Sequence, residues 1–347
     1  MNRKRWVLII LGLVIFIAGG VSALNHEARE DRAKEQEDAL SSLVDRQARV
    51  IRSGDKSQRI VVLPIEGTIT SNSSAAGLFG SGDIYNQQSL LKAIERIKKD
   101  DTVKGLILDV DSPGGETYAS VEMYDALKEL KEEKQIPIYV NMKSTAASGA
   151  YLISMVSDKI YAHPETITGS IGVIMESMNY KKFLEDHGIK YDVYKSGNQK
   201  DMGAPFKDAS DEDKKIFQSL IDESYNRFVD IVAEGRHMKA DEVKKLADGR
   251  IYTASQAKSN GLVDEIGDRD AAIDALMKEQ KLTGAEVDKV PRDMDYFNSF
   301  WDYFSEMPLI KRLMCSDDSL TTEAKTVQML MDKSAQPRLW SIYGGVD

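Results

Sequence analysis

Three short segments of this chain combine residue types that can do chemistry. Asp111-Ser112-Pro113-Gly114-Gly115 closes a β-branched run, and its paired glycines let backbone N–H groups turn outward without a Cβ penalty, as an oxyanion hole requires. Taken alone, the same residues make an ordinary Pro-Gly turn. In Ala146-Ala147-Ser148-Gly149-Ala150, small residues flank a serine, which permits a sharp strand-to-helix turn with the hydroxyl exposed, akin to the GxSxG elbow. A helix N-terminus there also favours negative charge developing on oxygen. Taken alone, a serine at a helix start is an N-cap. The third segment, Ser196 to Phe206, places Lys200 in a loop bracketed by Gly197 and Gly203. A serine nucleophile needs a base, and a lysine amine serves once desolvation lowers its pKa. His26, His163, His187 and His237 lie near no comparable turn, so a Ser-Lys pair is better supplied than a Ser-His-Asp triad.

Composition narrows the chemistry further. The chain has 347 residues, 42% hydrophobic and 29% charged, which suffices for a large core and excludes a disordered chain. Its 46 Lys+Arg against 56 Asp+Glu give a net charge of −10, so it lacks the footprint of a nucleic-acid binder. The single Cys315 allows no intramolecular disulfide and no CxxC zinc site, and no HExxH helix occurs. The expectation is therefore catalysis with no metal and no cofactor.

These residues need elements to position them, and the patterning supplies candidates. Residues 6–24 form an apolar run long enough to cross a bilayer, which takes about 20 residues. Arg3, Lys4 and Arg5 precede it, so the positive-inside rule predicts a cytoplasmic segment 1–5, a single-pass anchor 6–24 and an extracytoplasmic remainder at the cell membrane. A cleaved signal peptide ending at Val21-Ser22-Ala23 is the rival, with an apolar run longer than usual for one. Residues 25–58 read as a charged, partly helical stalk, 59–295 as the catalytic domain, and 296–347 as an aromatic C-terminal region and tail. Within the domain, β-branched runs alternate with amphipathic stretches, the signature of an α/β sheet. Strands are predicted at Ile60–Ile65, Gly105–Val110, Ile136–Asn141, Lys159–Ala162, Ile171–Met175 and Tyr191–Lys195. Helices are predicted at Gln88–Lys99, Tyr118–Glu133, Ser148–Val156, Met178–His187 and Asp211–Glu234, the last capped by Ser210. Ser71 to Asp83, rich in Ser, Gly and Ala, reads as a mobile loop, and the aromatics between Tyr296 and Phe304 as core or subunit contact.

Taken jointly, the segments resemble the signal peptide peptidase A family of membrane-anchored serine proteases. The resemblance spans roughly Ile60 to Leu276 and rests on motifs in order: Leu106 to Gly115, Ala146 to Tyr151, Thr168-Gly169-Ser170-Ile171-Gly172-Val173, the Lys200 loop, Gly249 to Ala257 and Gly261 to Asp264. It implies an α/β fold of the Clp-protease/crotonase type, a repeated β-β-α superhelical domain behind an N-terminal transmembrane helix. It implies Ser148 as nucleophile, Lys200 as general base, the backbone N–H groups of Gly115 and Gly149 as oxyanion hole, and Ser170 as the hydroxyl that orients the lysine. Gln199 precedes and Asp201 follows the base, and an aspartate there would raise its pKa if the two side chains met. The implied substrates are signal peptides and apolar membrane-derived peptides, and the implied assembly is a homo-oligomer in which one protomer's Ser and Lys serve a groove partly lined by the next. Three other readings stand beside it: a quality-control protease acting on other membrane peptides, an acyl-CoA-handling crotonase-like enzyme, and a peptidase-fold module that only binds extended peptides.

Overall fold

Six consecutive buried residues, Ile60 to Ile65, mark a strand covered on both faces, and a mixed α/β fold grows around it. The computed structural model describes residues 49–71 and 85–291. In chain order the strands are β1 (Arg49–Arg52), β2 (Asp55–Glu66), β3 (Val103–Ser112), β4 (Ile138–Ala147), β5 (Lys159–Ala162), β6 (Ile167–Gly169), β7 (Ile251–Thr253), β8 (Glu265–Ile266) and β9 (Ala285–Lys289). The helices are α1 (Gln87–Lys99), α2 (Thr117–Lys134), α3 (Gly149–Ser154), α4 (Lys181–Asp186), α5 (Asp211–Arg236), α6 (Ala240–Leu246), α7 (Ala254–Ser259) and α8 (Arg269–Glu279).

The main sheet runs β1-β9-β2-β3-β4-β5-β8, and β2, β3, β4 and β5 pair in parallel through helical crossovers. Side chains alternate across it with the period of two that a pleated strand imposes. Ile60 and Val62 join Ile107, Tyr139, Ile273 and Leu276 in the layer under α8. Val61, Leu63 and Ile65 join Met123, Leu127 and Phe228 in the layer under α2 and α5. The helix starts are chemically specified: Asn86 Oδ1 accepts from the Ser89 N–H, Asp268 accepts from the Ala271 N–H, and Ser210 forms a capping box with Asp213.

One feature of the sheet positions the site. β4 pairs with β5 over Tyr139–Met142 and then, further along, with β6 over Thr145–Ala147. A register irregularity between Val110 and Ser112 accompanies this divergence, and Asp111 Oδ1 takes the Thr145 N–H at 3.1 Å. The last residue of β4, Ala147, thereby delivers Ser148 onto the start of α3.

Several expected boundaries move. The sheet begins at Arg49, so eight of the last ten residues of the expected stalk lie in β1 and β2 and none in a helix. Ile171–Met175 and Tyr191–Lys195 are not strands; Ile174, Tyr191 and Tyr194 are exposed and no neighbouring strand pairs with either segment. A β-branched run without a hydrogen-bonding neighbour has nothing to hold it as a sheet. The expected helix at Met178–His187 shortens to α4. The expected anchor at 6–24, the stalk up to residue 48, almost all of the expected loop and the aromatic C-terminal region lie outside the described residues. Among the described residues no helix is long and apolar enough to cross a membrane.

Candidate active site

Ser148 holds φ 53° and ψ −122°, a conformation an L-residue adopts only under constraint, at a cost of order 1–3 kcal/mol. The constraint is visible. Its N–H donates to Gly169 O of β6 at 2.8 Å, and α3 begins at the next residue. Its side chain makes no capping hydrogen bond, so the ordinary reading of a helix-start serine does not apply. The hydroxyl is left for other work.

The glycine loop after β3 packs directly against this turn. Gly114 has φ +97°, its N–H donates to the buried Ser112 Oγ at 3.1 Å, and a Cβ on it would fall 2.7 Å from Gly149 N and 2.8 Å from Ser148 Cβ. Gly115 forms a parallel bridge with Ile69 through its neighbours: the Ile69 N–H donates to Gly114 O and the Glu116 N–H to Ile69 O, both at 2.8 Å. In such a bridge the central residue's own N–H faces the other way, here toward Gly149, whose ideal Cβ position lies 3.5 Å from Gly115 N. A Cβ on Gly115 would sit 2.0 Å from Ile69 O. The Glu116 carboxylate secures the Ile69 side by accepting from the Ser71 hydroxyl at 2.6 Å and N–H at 2.8 Å, bonds that hold its pKa below the usual value. The Gly115 and Gly149 N–H groups therefore lie close together beside Ser148, and among the described residues neither has an acceptor.

A cavity of about 290 Å³ opens at this point. Gly115, Ser148 and Gly149 form its chemical end, while Val121, Leu152 and Phe228 give it apolar walls. Sequence reasoning missed the contribution of α2 and α5, which also bring Tyr118, Ser120, Glu223 and Arg227 to it. No local motif marks these residues. Ser120 is the informative one, because its Oγ lies 2.1 Å from where a Gly149 Cβ would be, so a side chain at 149 would have to turn the Ser120 hydroxyl away and press on its Cβ at 3.0 Å.

The other expected residues are placed as follows. Ser170 is half-buried with φ 48°, its N–H donates to Arg250 O at 2.8 Å, and it directly follows the glycine that holds Ser148. Lys200 is exposed on the long segment between β6 and α5, its N–H bonded to Gly197 O at 3.1 Å. It does not line the Ser148 cavity and forms no hydrogen bond with Ser148 within one chain. No histidine lines that cavity among the described residues. Lysines that compete with Lys200 are engaged with carboxylates. Half-burial lowers the Lys143 pKa, but Glu66 at 3.1 Å, with Asp109 and Asp111 nearby, raises it overall, the opposite of what a base needs. The Lys195 amine contacts Asp201 Oδ1 at 2.7 Å and Asn198 O at 2.9 Å. Asp201 is turned to Lys195 and Lys207, so the expected conflict between Asp201 and Lys200 does not arise. Among the described residues no cluster of His, Cys, Asp and Glu could hold a metal ion.

A strained serine on a strand-to-helix turn, with two backbone N–H groups and an apolar cavity beside it, suits the acyl-transfer chemistry of a serine peptidase. The sequence profile of peptidase family S49 matches residues 130–283. A relative from Enterococcus faecium named signal peptide peptidase SppA is 40% identical over 87% of this chain and 88% of its own. A protease of Methanocaldococcus jannaschii is 38% identical over 60% of this chain and 68% of its own. Among solved structures, a mutant of the 1510-N membrane-bound stomatin-specific protease aligns with TM-score 0.43 and 16% identity, covering 68% of this chain and 99% of that one. The chain belongs to peptidase family S49.

Proposed function

We propose that this serine peptidase is a membrane-anchored endopeptidase that degrades cleaved signal peptides and other apolar membrane-derived peptides with a Ser148–Lys200 dyad. The observation that carries the reading is Ser148: strained, uncapped, and abutting the N–H groups of Gly115 and Gly149. The substrate class follows the apolar walls of the cavity, the name carried by the Enterococcus faecium relative, and the apolar segment 6–24, read as a single-pass anchor that leaves the domain extracytoplasmic. The resemblance noted in the sequence extends the fold to a superhelix of β-β-α repeats.

The position of Lys200 decides how the dyad forms. The residue sits on an exposed segment away from its own chain's cavity, and that segment exposes Ile174, Met178, Phe183, Tyr191 and Tyr194. Large apolar surface of this kind marks a protein contact. The dyad is therefore read as completed between copies of a homo-oligomer, Lys200 of one chain reaching Ser148 of the next, with Ser170 beside the serine turn orienting the amine. This also supplies the desolvation that an exposed amine lacks.

In the reaction, Lys200 Nζ takes the Ser148 hydroxyl proton as Oγ bonds to the carbonyl carbon of the scissile peptide. The carbonyl oxygen, now negative, rests against the Gly115 and Gly149 N–H groups, donors of a kind worth about 10²–10³ in kcat each. The Lys200 ammonium then protonates the leaving nitrogen, the C–N bond breaks, and an ester on Ser148 remains. Water, giving its proton to Lys200, attacks the ester and releases the acid, and the proton returns to Ser148. A binding module would have the same groove without this chemistry. A fluorophosphonate probe separates the two: labelling that Ser148→Ala abolishes, together with hydrolysis of an apolar signal peptide, supports the peptidase, and an unlabelled wild type that binds but does not cleave the peptide overturns it.

A further inference from the structure

The loop that carries Lys200 is exposed, yet it is not loosely held. Asp201 Oδ1 receives Lys195 Nζ at 2.7 Å and Lys207 Nζ at 2.9 Å. Lys207 Nζ continues to Asp213 Oδ2 at 3.1 Å, and Asp213 is fully buried in the capping box that starts the 26-residue helix α5. Lys195 Nζ also donates to Asn198 O at 2.9 Å, inside the turn that Lys200 closes onto Gly197 O. Four alternating charges thus run Lys195, Asp201, Lys207, Asp213 and tie both sides of the turn to a rigid helix. Asp201 is the hub, with its side chain only 15% exposed while Lys195 and Lys207 are 31% and 28% exposed. Hydrogen bonds from Lys195 and then Lys207 hold its carboxyl down at about 2. Its charge is spent on those two ammonium groups and not on the adjacent Lys200, whose amine has no ion-pair partner among the described residues.

We infer that Asp201 is a positioning residue for the catalytic lysine: gripped by Lys195 and Lys207, it fixes the turn that presents Lys200 and keeps its own carboxylate away from the Lys200 amine. The inference rests on the reading of Lys200 as general base. A reacting group pays for disorder directly in rate, since a base must be held within a few tenths of an ångström of its proton. A lysine on an exposed loop would otherwise lose that geometry. Anchoring to α5 settles the backbone on either side while the amine stays free. The grip acts on the chemical step and not on the cavity that binds substrate, so its loss appears in kcat and leaves KM unchanged.

The test uses the full chain and an apolar signal peptide, comparing wild type with Asp201→Asn, Asp201→Glu and Lys200→Ala. Lys200→Ala is expected to be inactive. Asp201→Asn is expected to lower kcat about tenfold at unchanged KM and unchanged Tm, and Asp201→Glu to recover most of that loss. Wild-type kcat in Asp201→Asn alongside an inactive Lys200→Ala would overturn the positioning role and leave the base assignment standing. A kcat loss accompanied by a fall in Tm, or not recovered by Asp201→Glu, would also overturn it in favour of a purely structural role. Full activity in Lys200→Ala would overturn both readings at once.

Discussion

Ser148 is the residue at which local backbone preference and the proposed role as nucleophile conflict. Its backbone would rest more easily as glycine, because φ 53° with ψ −122° strains any residue that carries a Cβ. Ser148→Gly is therefore expected to abolish peptide hydrolysis while raising stability by about 1 kcal/mol, a trade between activity and stability that denaturant unfolding beside an activity assay would read. Gly115 carries the reverse cost. A Cβ there meets backbone, Ile69 O at 2.0 Å, which cannot rotate away. Gly115→Ala is expected to lower kcat about 100-fold by displacing an oxyanion donor, with a stability loss of about 1–3 kcal/mol from overpacking. The sharp turn was legible in the sequence, since glycines and alanines flank one serine, whereas the use of that turn was legible only from several motifs taken jointly. The Ser120 contact that crowds Gly149 was not legible, because it joins residues from two elements through a close approach that no periodicity encodes.

At the scale of elements, the strands that face apolar layers on both sides announced themselves as continuous apolar runs, and β2, β3 and β5 fall where those runs are. β9 did not, because Ala285–Lys289 carries Glu286 and Asp288, and the buried Asp288 is satisfied by an ion pair with Arg59 on the adjacent strand β2. A charged residue neutralised by a distant partner hides its strand from any reading of hydropathy. The same holds at the end of α5. The Arg236 side chain is 8% exposed, donates to Asp264 at 2.6 Å and 2.9 Å and to Gly261 O at 2.8 Å, and so fastens the helix to the turn before β8. Arg236→Ala strands the half-buried Asp264, which also accepts the Ile160 N–H, and is expected to cost about 2–3 kcal/mol in chemical denaturation. The segments Ile171–Met175 and Tyr191–Lys195 read as strands because their residues suit one. They carry no regular structure, because among the described residues no strand pairs with them, and apart from buried Ile171 their large side chains are mostly exposed.

At the scale of the whole molecule, the chain presents the Ser148 turn and its two glycine N–H groups in one place and the well-anchored Lys200 loop in another. The sequence named both residues, and no sequence of one chain can say whether they meet within it. An oligomer in which each Lys200 serves a neighbour's Ser148 makes activity a property of the assembly. The most direct measurement is hydrolysis of an apolar signal peptide by Ser148→Ala and Lys200→Ala chains, each alone and co-expressed in equal amounts. The account predicts two inactive homo-oligomers and, in the mixture, about a quarter of wild-type activity, since a random neighbour pair holds an intact Ser148 and an intact Lys200 about one time in four. A Lys200→Ala enzyme that is active alone, or a mixture as inactive as its parts, would contradict it.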